Sequence, residues 1–336
     1  MKAVGYTQPG ALDRPEALID FELPEPQSGP TDLLVSVDAV AVNPVDTKIR
    51  RTRRPEPGAW QVLGWDAVGT VVSTGHHAVG FSPGDRVFYA GAIDRPGCNS
   101  QFHVVDHRIA AHAPVGLSDA QVAALPLTSL TAWELLFDRL GVPVGGGAGH
   151  NLLVIGAPGG VGSMLIQFAR RLTKLTVIAT AGRPESRMWV SGLGAHHVID
   201  HRQPWLPQLH DVGCESVTWQ AALTHTAQHW ESMVEIAQPQ GAIAVIDDPG
   251  PLDVAAMKRK SLALHWEFMF TRSLFATEDM AEQGRILGKV ADLAANGTVV
   301  SPVTQTLSPI SAAHLLDAHR QSEAGTTIGK IAVTGW

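Results

Sequence analysis

The most ordered pattern of apolar and polar positions begins at Asn151. Leu152 to Ile155 form an unbroken apolar run, the sign of a strand buried on both faces. The glycine-rich turn Gly156-Ala157-Pro158-Gly159-Gly160-Val161-Gly162 follows, and then Val161, Leu165, Phe168 and Leu172 recur at helical spacing. Beyond it, strands are predicted at 176–180, 197–199, 215–219 and 242–247, and helices at 160–172, 184–193 and 226–237. Strand and helix in alternation predict a doubly wound parallel α/β sheet.

Residues 1–125 read differently. Short runs at Ala3–Tyr6, Leu33–Val42, Ala67–Ser73 and Asp85–Tyr89 predict strands, with turns at Pro83-Gly84-Asp85 and Arg95-Pro96-Gly97. At most one turn of helix is expected after Asn43-Pro44. Helical patterns return at Ser118, which reads as a cap, over 128–140, over 277–296 up to Gly297, and over 311–323, before a last strand at 330–334. The apolar stretch Ser261–Phe270 reads as an edge strand, through which a homodimer is expected.

A chain of 336 residues exceeds one typical domain, so two domains are expected. The net charge of -7, with its acids scattered, speaks against a nucleic-acid footprint. No apolar run approaches the roughly 18 residues of a membrane span, and no signal-peptide pattern opens the chain. Two cysteines exclude a cysteine-rich zinc lobe and a disulfide framework, and a reducing cytoplasm is the expected location.

Strand, glycine turn and helix in that order are the setting of a dinucleotide fingerprint. In register it reads Ala157-x-Gly159-x-x-Gly162, with alanine in place of the first glycine. Gly159 would let the backbone approach a pyrophosphate, and Gly162 would let the helix pack on the strand. The phosphates would meet the free N–H groups of Gly160, Val161 and Gly162. The alternative is a glycine-rich turn with no ligand. About 20 residues on, an NAD site carries an acid for the ribose. Here Thr180 and Ala181 stand there instead, and Arg183 follows, suited to a 2′-phosphate. NADP is therefore preferred, against the reading of Arg183 as a solvated loop residue. Thr128 lies where the chain enters this domain and is a candidate nicotinamide contact.

The chain resembles the medium-chain dehydrogenase/reductase superfamily, in its zinc-independent quinone oxidoreductase branch. The resemblance rests on Val42-Asn43-Pro44-Val45-Asp46-Thr47-Lys48, Gly64-Trp65-Asp66, Pro83-Gly84-Asp85-Arg86-Val87, Ala124-Leu125-Pro126-Leu127-Thr128, the glycine turn and Gly329-Lys330-Ile331. Asn-Pro-Val-Asp-Thr-Lys and His265–Arg272 are similar to the subgroup called zinc-type alcohol dehydrogenase-like. The resemblance implies a mostly-β GroES-like catalytic domain split around an inserted Rossmann domain, with parts at 1–126, 127–272 and 273–336, and a cleft between the domains. It also implies that Lys330 lies with the cofactor.

Zinc relatives carry a cysteine where this chain has Asn43, and Gly-His-Glu where it has Gly64-Trp65-Asp66. A catalytic zinc needs about three Cys, His or carboxylate ligands, so no zinc is expected. Among the 15 histidines only His225 and His229 have a ligand-like spacing, and no third ligand joins them. Without a Lewis acid, hydride transfer from NADPH to a quinone or α,β-unsaturated carbonyl is the expected reaction. By resemblance Asn43 would donate to the acceptor carbonyl or cofactor ribose, and Lys48 would stabilise negative charge. Trp65 would form an apolar wall, and Asp66 with Asp46 would orient Lys48. The alternatives are a zinc alcohol dehydrogenase and a non-catalytic NADPH-binding protein.

Overall fold

The computed structural model describes residues 1–336. In chain order it begins with β1 (Lys2–Tyr6), β2 (Ile19–Glu22), β3 (Asp32–Ala41), α1 (Pro44–Thr52), β4 (Gln61–Val62), β5 (Ala67–Thr74), β6 (Arg86–Tyr89), β7 (Phe102–Asp106), β8 (Ala110–His112), α2 (Asp119–Ala123) and α3 (Pro126–Trp133). Next come β9 (Asn151–Ile155), α4 (Gly160–Leu172), β10 (Thr176–Thr180), α5 (Pro184–Gly192), β11 (His197–Ile199), α6 (Trp205–Asp211), β12 (Val217–Ala222), α7 (Thr226–Ile236), β13 (Ala237–Val245) and β14 (Ala263–Trp266). The chain closes with α8 (Thr271–Leu274), α9 (Glu282–Ala295), β15 (Val303–Leu307), α10 (Ala312–Glu323) and β16 (Lys330–Thr334). Two compact units emerge: Met1–Leu130 with Phe270–Trp336, and Thr131–Met269. No helix is long and apolar enough to cross a membrane.

The first unit is built on β. A three-stranded sheet runs β2-β1-β4, and a seven-stranded sheet runs β15-β16-β3-β5-β6-β8, with β7 paired to β3. Strand β16 lies antiparallel to β3, with Ala332 opposite Ala41 and Val333 opposite Val40. That register brings Lys330 beside Val42 and Asn43, although 287 residues separate Lys330 from Asn43.

After Asn43-Pro44 stands a nine-residue helix, α1, rather than the single turn expected. Pro44 occupies its first position, where a missing N–H costs nothing, and the Asn43 N–H donates to Asp46 Oδ2 at 2.6 Å. The buried residues of α1 are Asp46, Thr47, Ile49 and Arg50. Its interior face is mostly polar, so no apolar period announced it.

The second unit is a six-stranded parallel sheet in the order β11-β10-β9-β12-β13-β14. Counted from β9 this is 3-2-1-4-5-6, the order of dinucleotide-binding doubly wound folds. Leu153, Ile155, Ile178, Val217, Ile243 and Val245 from the strands pack with Met233 and Ile236 of α7 in its core. The order reverses between β9 and β12, so their carboxyl ends frame the crevice where such folds bind ligands. The stretch at 261–270 contributes only Ala263–Trp266 to the edge. The helix expected over 128–140 is α-helical to Trp133 and then widens into a π-helical segment, Glu134–Arg139. That segment places Arg139 Nε on Glu267 Oε2 at 2.8 Å.

Candidate functional site

Two constellations stand out, one in each unit. In the second unit β9 ends at Ile155, and Gly156 turns the chain with φ +77°, a left-handed conformation that glycine adopts without strain. The Gly156 N–H donates to Thr180 Oγ1 at 3.2 Å, so the end of β10 braces the turn. Helix α4 starts at Gly160, with Gly159 as its cap residue and no side chain capping it. The first N–H groups of α4 therefore point outward at the positive end of its dipole.

The two key glycines differ in their reasons. A Cβ on Gly162 would stand 2.3 Å from the Ala157 carbonyl oxygen and 2.6 Å from Ala157 Cα, so packing of helix on strand requires glycine. Gly159 has an ordinary φ of -72°, and a Cβ there would meet nothing nearer than Gly156 O at 3.7 Å. Neither packing nor backbone conformation demands glycine at 159, although glycine is among the favoured residues at a helix N-cap. The residues at this turn fit a pyrophosphate lying against the backbone. Gly162→Ala is expected to cost about 1–3 kcal/mol of stability through overpacking. Gly159→Ala is expected to change stability by under about 1 kcal/mol while weakening NADPH binding at least about tenfold. Thermal unfolding with and without NADPH separates the two effects.

Arg183 caps α5 beyond β10 and is exposed; its N–H donates to Ser186 Oγ at 3.2 Å. Thr180 is buried against the turn it braces. Ala157 is buried, while Gly160 and Val161 are partly exposed at the helix start.

In the first unit a buried charge network joins three distant segments. Lys330 Nζ donates to Val42 O at 2.8 Å, Asn43 Oδ1 at 2.5 Å and Asp66 Oδ2 at 2.9 Å. Asn43 Nδ2 donates to the same Asp66 oxygen at 2.7 Å, and the Leu127 N–H, in the first turn of α3, donates to Asp66 Oδ1 at 2.7 Å. Asp46 accepts from the N–H groups of Asn43 and Gly64. All four side chains are at most 4% exposed. Burial pushes the Asp46 carboxyl up to about 7, against its two amide donors and the Lys330 charge. Burial likewise raises that of Asp66, opposed first by Lys330.

These contacts place the residues expected at the site from the sequence. The cation facing Asp46 and Asp66 is Lys330, which pairs with Asp66. The Asn43 amide hydrogens go to Asp66 and to Ala41 O (3.5 Å), so Asn43 joins the network instead of presenting a donor outward. Trp65 is 1% exposed, its indole N–H donates to Ala92 O at 3.1 Å, and its ring stands edge-on to Phe270. It is core. Thr128 is buried, with its hydroxyl on the carbonyls of Ala124 and Leu125. Lys48 is exposed on α1. The signal for Lys330 was its place at the head of a strand that returns to β3, which only the strand pairing reveals.

The donor set does not suit zinc. No group of three or more His, Cys, Asp or Glu is arranged to hold a metal ion. The oxygens of Val42, Asn43 and Asp66 already converge on an ammonium, whose charge would repel a second cation. The nearby sulfur, Cys98 Sγ, donates to Asp66 O at 3.4 Å, and burial pushes its thiol well up, away from the thiolate that zinc requires.

Comparison with known proteins agrees with this architecture. The alcohol dehydrogenase GroES-like domain model matches residues 29–120, and the zinc-binding dehydrogenase model matches residues 193–333. A zinc-type alcohol dehydrogenase-like protein of Staphylococcus aureus (strain MSSA476) is 34% identical over 339 residues, covering 99% of both chains. The 2-methylene-furan-3-one reductase of Solanum lycopersicum is 28% identical, over 99% of this chain and 79% of its own. A crystal structure from Rhizobium etli CFN 42, provisionally named a zinc-dependent alcohol dehydrogenase, superposes with a TM-score of 0.96 at 48% identity, covering 100% of this chain and 98% of that one. With its GroES-like unit, its 3-2-1-4-5-6 sheet and full-length relatives on both counts, the chain belongs to the medium-chain dehydrogenase/reductase superfamily of oxidoreductases, beside the zinc-type alcohol dehydrogenase-like proteins.

Proposed function

We propose that this protein is an NADPH-dependent, metal-free reductase that transfers hydride to a quinone or an α,β-unsaturated carbonyl compound. The observation that carries the reading is Gly159, which neither packing nor conformation demands and which a pyrophosphate against the backbone explains. Arg183, in place of a ribose-binding acid, supports NADPH over NADH. The buried Lys330 ammonium supports metal independence. The tomato relative is named for reducing a methylene ketone, an acceptor of the proposed class.

When bound, the nicotinamide supplies the hydride. Negative charge then develops on the acceptor oxygen, and catalysis requires a cation or donor fixed where that charge appears. Asn43, Asp66 and Lys330 hold each other and are spent. Lys48 is the cation we assign: it follows the buried Thr47 on α1, and its Nζ stabilises the oxyanion and returns a proton to it. NADPH consumption with a panel of quinones and enones, in the presence of a chelator, tests the whole reading; no turnover with any acceptor would overturn it. Lys48→Met is expected to lower kcat about 100-fold with the KM for NADPH unchanged. An undiminished kcat removes Lys48 from the mechanism.

A further inference from the structure

The carboxyl end of β10 carries more guanidinium than the fingerprint spacing revealed. Arg187 of α5 donates from Nη1 to Ala181 O at 3.1 Å and from Nη2 to Val198 O at 2.9 Å. Arg202, three residues past β11, sets Nε and Nη2 on the Asp200 carboxylate at 2.9 and 2.7 Å. The same Nη2 donates to Gly182 O at 2.5 Å. A Cβ on Gly182 would stand 2.8 Å from Arg202 Nε and 3.0 Å from its Cζ, so a side chain there would displace the guanidinium from its present place.

The backbone before Arg183 is thus held group by group. Ala181 N donates to Ile199 O at 2.9 Å, and Arg183 N donates to Ser186 Oγ. The carbonyls of Ala181 and Gly182 are each gripped by a separate arginine. Arg183, Arg187 and Arg202 against Asp200 and Glu185 leave this loop net positive. No acid stands at Thr180 or Ala181 to hold an unmodified ribose.

We propose that Arg202 is a positioning residue for recognition of a ribose phosphomonoester. By clamping Gly182 between β10 and β11 it fixes the direction in which Arg183 leaves the loop, and so makes the site select a 2′-phosphorylated adenosine over the plain nucleotide. The fork geometry matters, because one planar group must reach Asp200 and the Gly182 carbonyl together. The inference rests on the reading that this unit binds NADPH.

Titration calorimetry of the full chain with 2′,5′-ADP and with 5′-AMP tests it. Wild type is expected to prefer 2′,5′-ADP by at least about tenfold, the scale of one charge-assisted contact. Arg202→Ala is expected to lose most of that preference by weakening 2′,5′-ADP alone, as Arg183→Ala does directly, and Arg202→Lys is expected not to restore it. A wild-type ratio near one overturns the NADPH reading and this inference with it. A wild-type preference that Arg202→Ala leaves intact overturns the inference alone. So does an equal weakening of both nucleotides, which would mean that Arg202 only supports the fold.

Discussion

Replacing Lys330 with methionine is expected to destabilise the first unit by about 3–5 kcal/mol, the usual consequence of stripping the partner from a buried charge. The ammonium has three hydrogens and three acceptors within bonding distance, and it is 4% exposed. Without it, the Asp66 carboxylate keeps only the donors of Asn43 and Leu127, in a site shut off from solvent. Asp66→Asn in the same chain removes the stranded charge. The oxygen of the introduced amide still accepts from the Leu127 N–H, its nitrogen donates to Asn43 Oδ1, which needs a donor once the ammonium is gone, and Asn43 Nδ2 is left with Ala41 O. The double variant should lie within about 2 kcal/mol of wild type, a coupling of the size expected for contacting charges. Chemical unfolding of the two single variants and the double variant measures that coupling. A loss in the double variant equal to the sum of the two single losses would show that the pair does not interact as drawn.

The same network shows why parts of this molecule were legible in the sequence and parts were not. Parallel strands buried on both faces read as apolar runs, so β9 and β10 stood where the runs predicted. The glycines of the turn were legible because each has a local reason: Gly156 its positive φ, Gly162 its contact with Ala157. Helix α1 was nearly invisible because it buries Asp46, Thr47 and Arg50, residues that periodicity counts as solvent-facing. Arg183 could be found by counting from the glycine turn. Arg202 could not, since it meets Gly182 across 20 residues and a strand crossing. Asn43, Trp65 and Asp66 were singled out by resemblance as site positions. The Lys330 contacts of Asn43 and Asp66 depend on β16 returning to β3, a pairing no local pattern encodes.

His319→Leu is expected to leave stability nearly unchanged at pH 7.5 and to raise it by about 2 kcal/mol at pH 5. His319 lies on α10 with no exposed surface, and neither ring nitrogen has a hydrogen-bond partner. Burial, and then the adjacent Arg50 charge, push its pKa from 6.5 down to about 3. Between those values the unfolded chain binds a proton that the folded chain refuses. Stability therefore falls as pH drops below about 6.5, by about 1.4 kcal/mol per pH unit, until the folded form titrates. His103, buried and pushed down to about 4, adds a slope of the same sign. Asp46, raised to about 7, works the other way, because the folded chain holds its proton while the unfolded one has released it. The net acid slope of the wild type thus mixes opposed groups, whereas the difference between wild type and His319→Leu isolates one. Leucine is the suitable replacement: it fills similar volume, and removing a ring with no partner strands no hydrogen bond. Denaturant unfolding of both proteins at pH 7.5 and pH 5.0 gives the comparison. If the variant gains nothing at pH 5.0 relative to pH 7.5, His319 takes up its proton in the folded state and the buried site is more accessible than its packing implies.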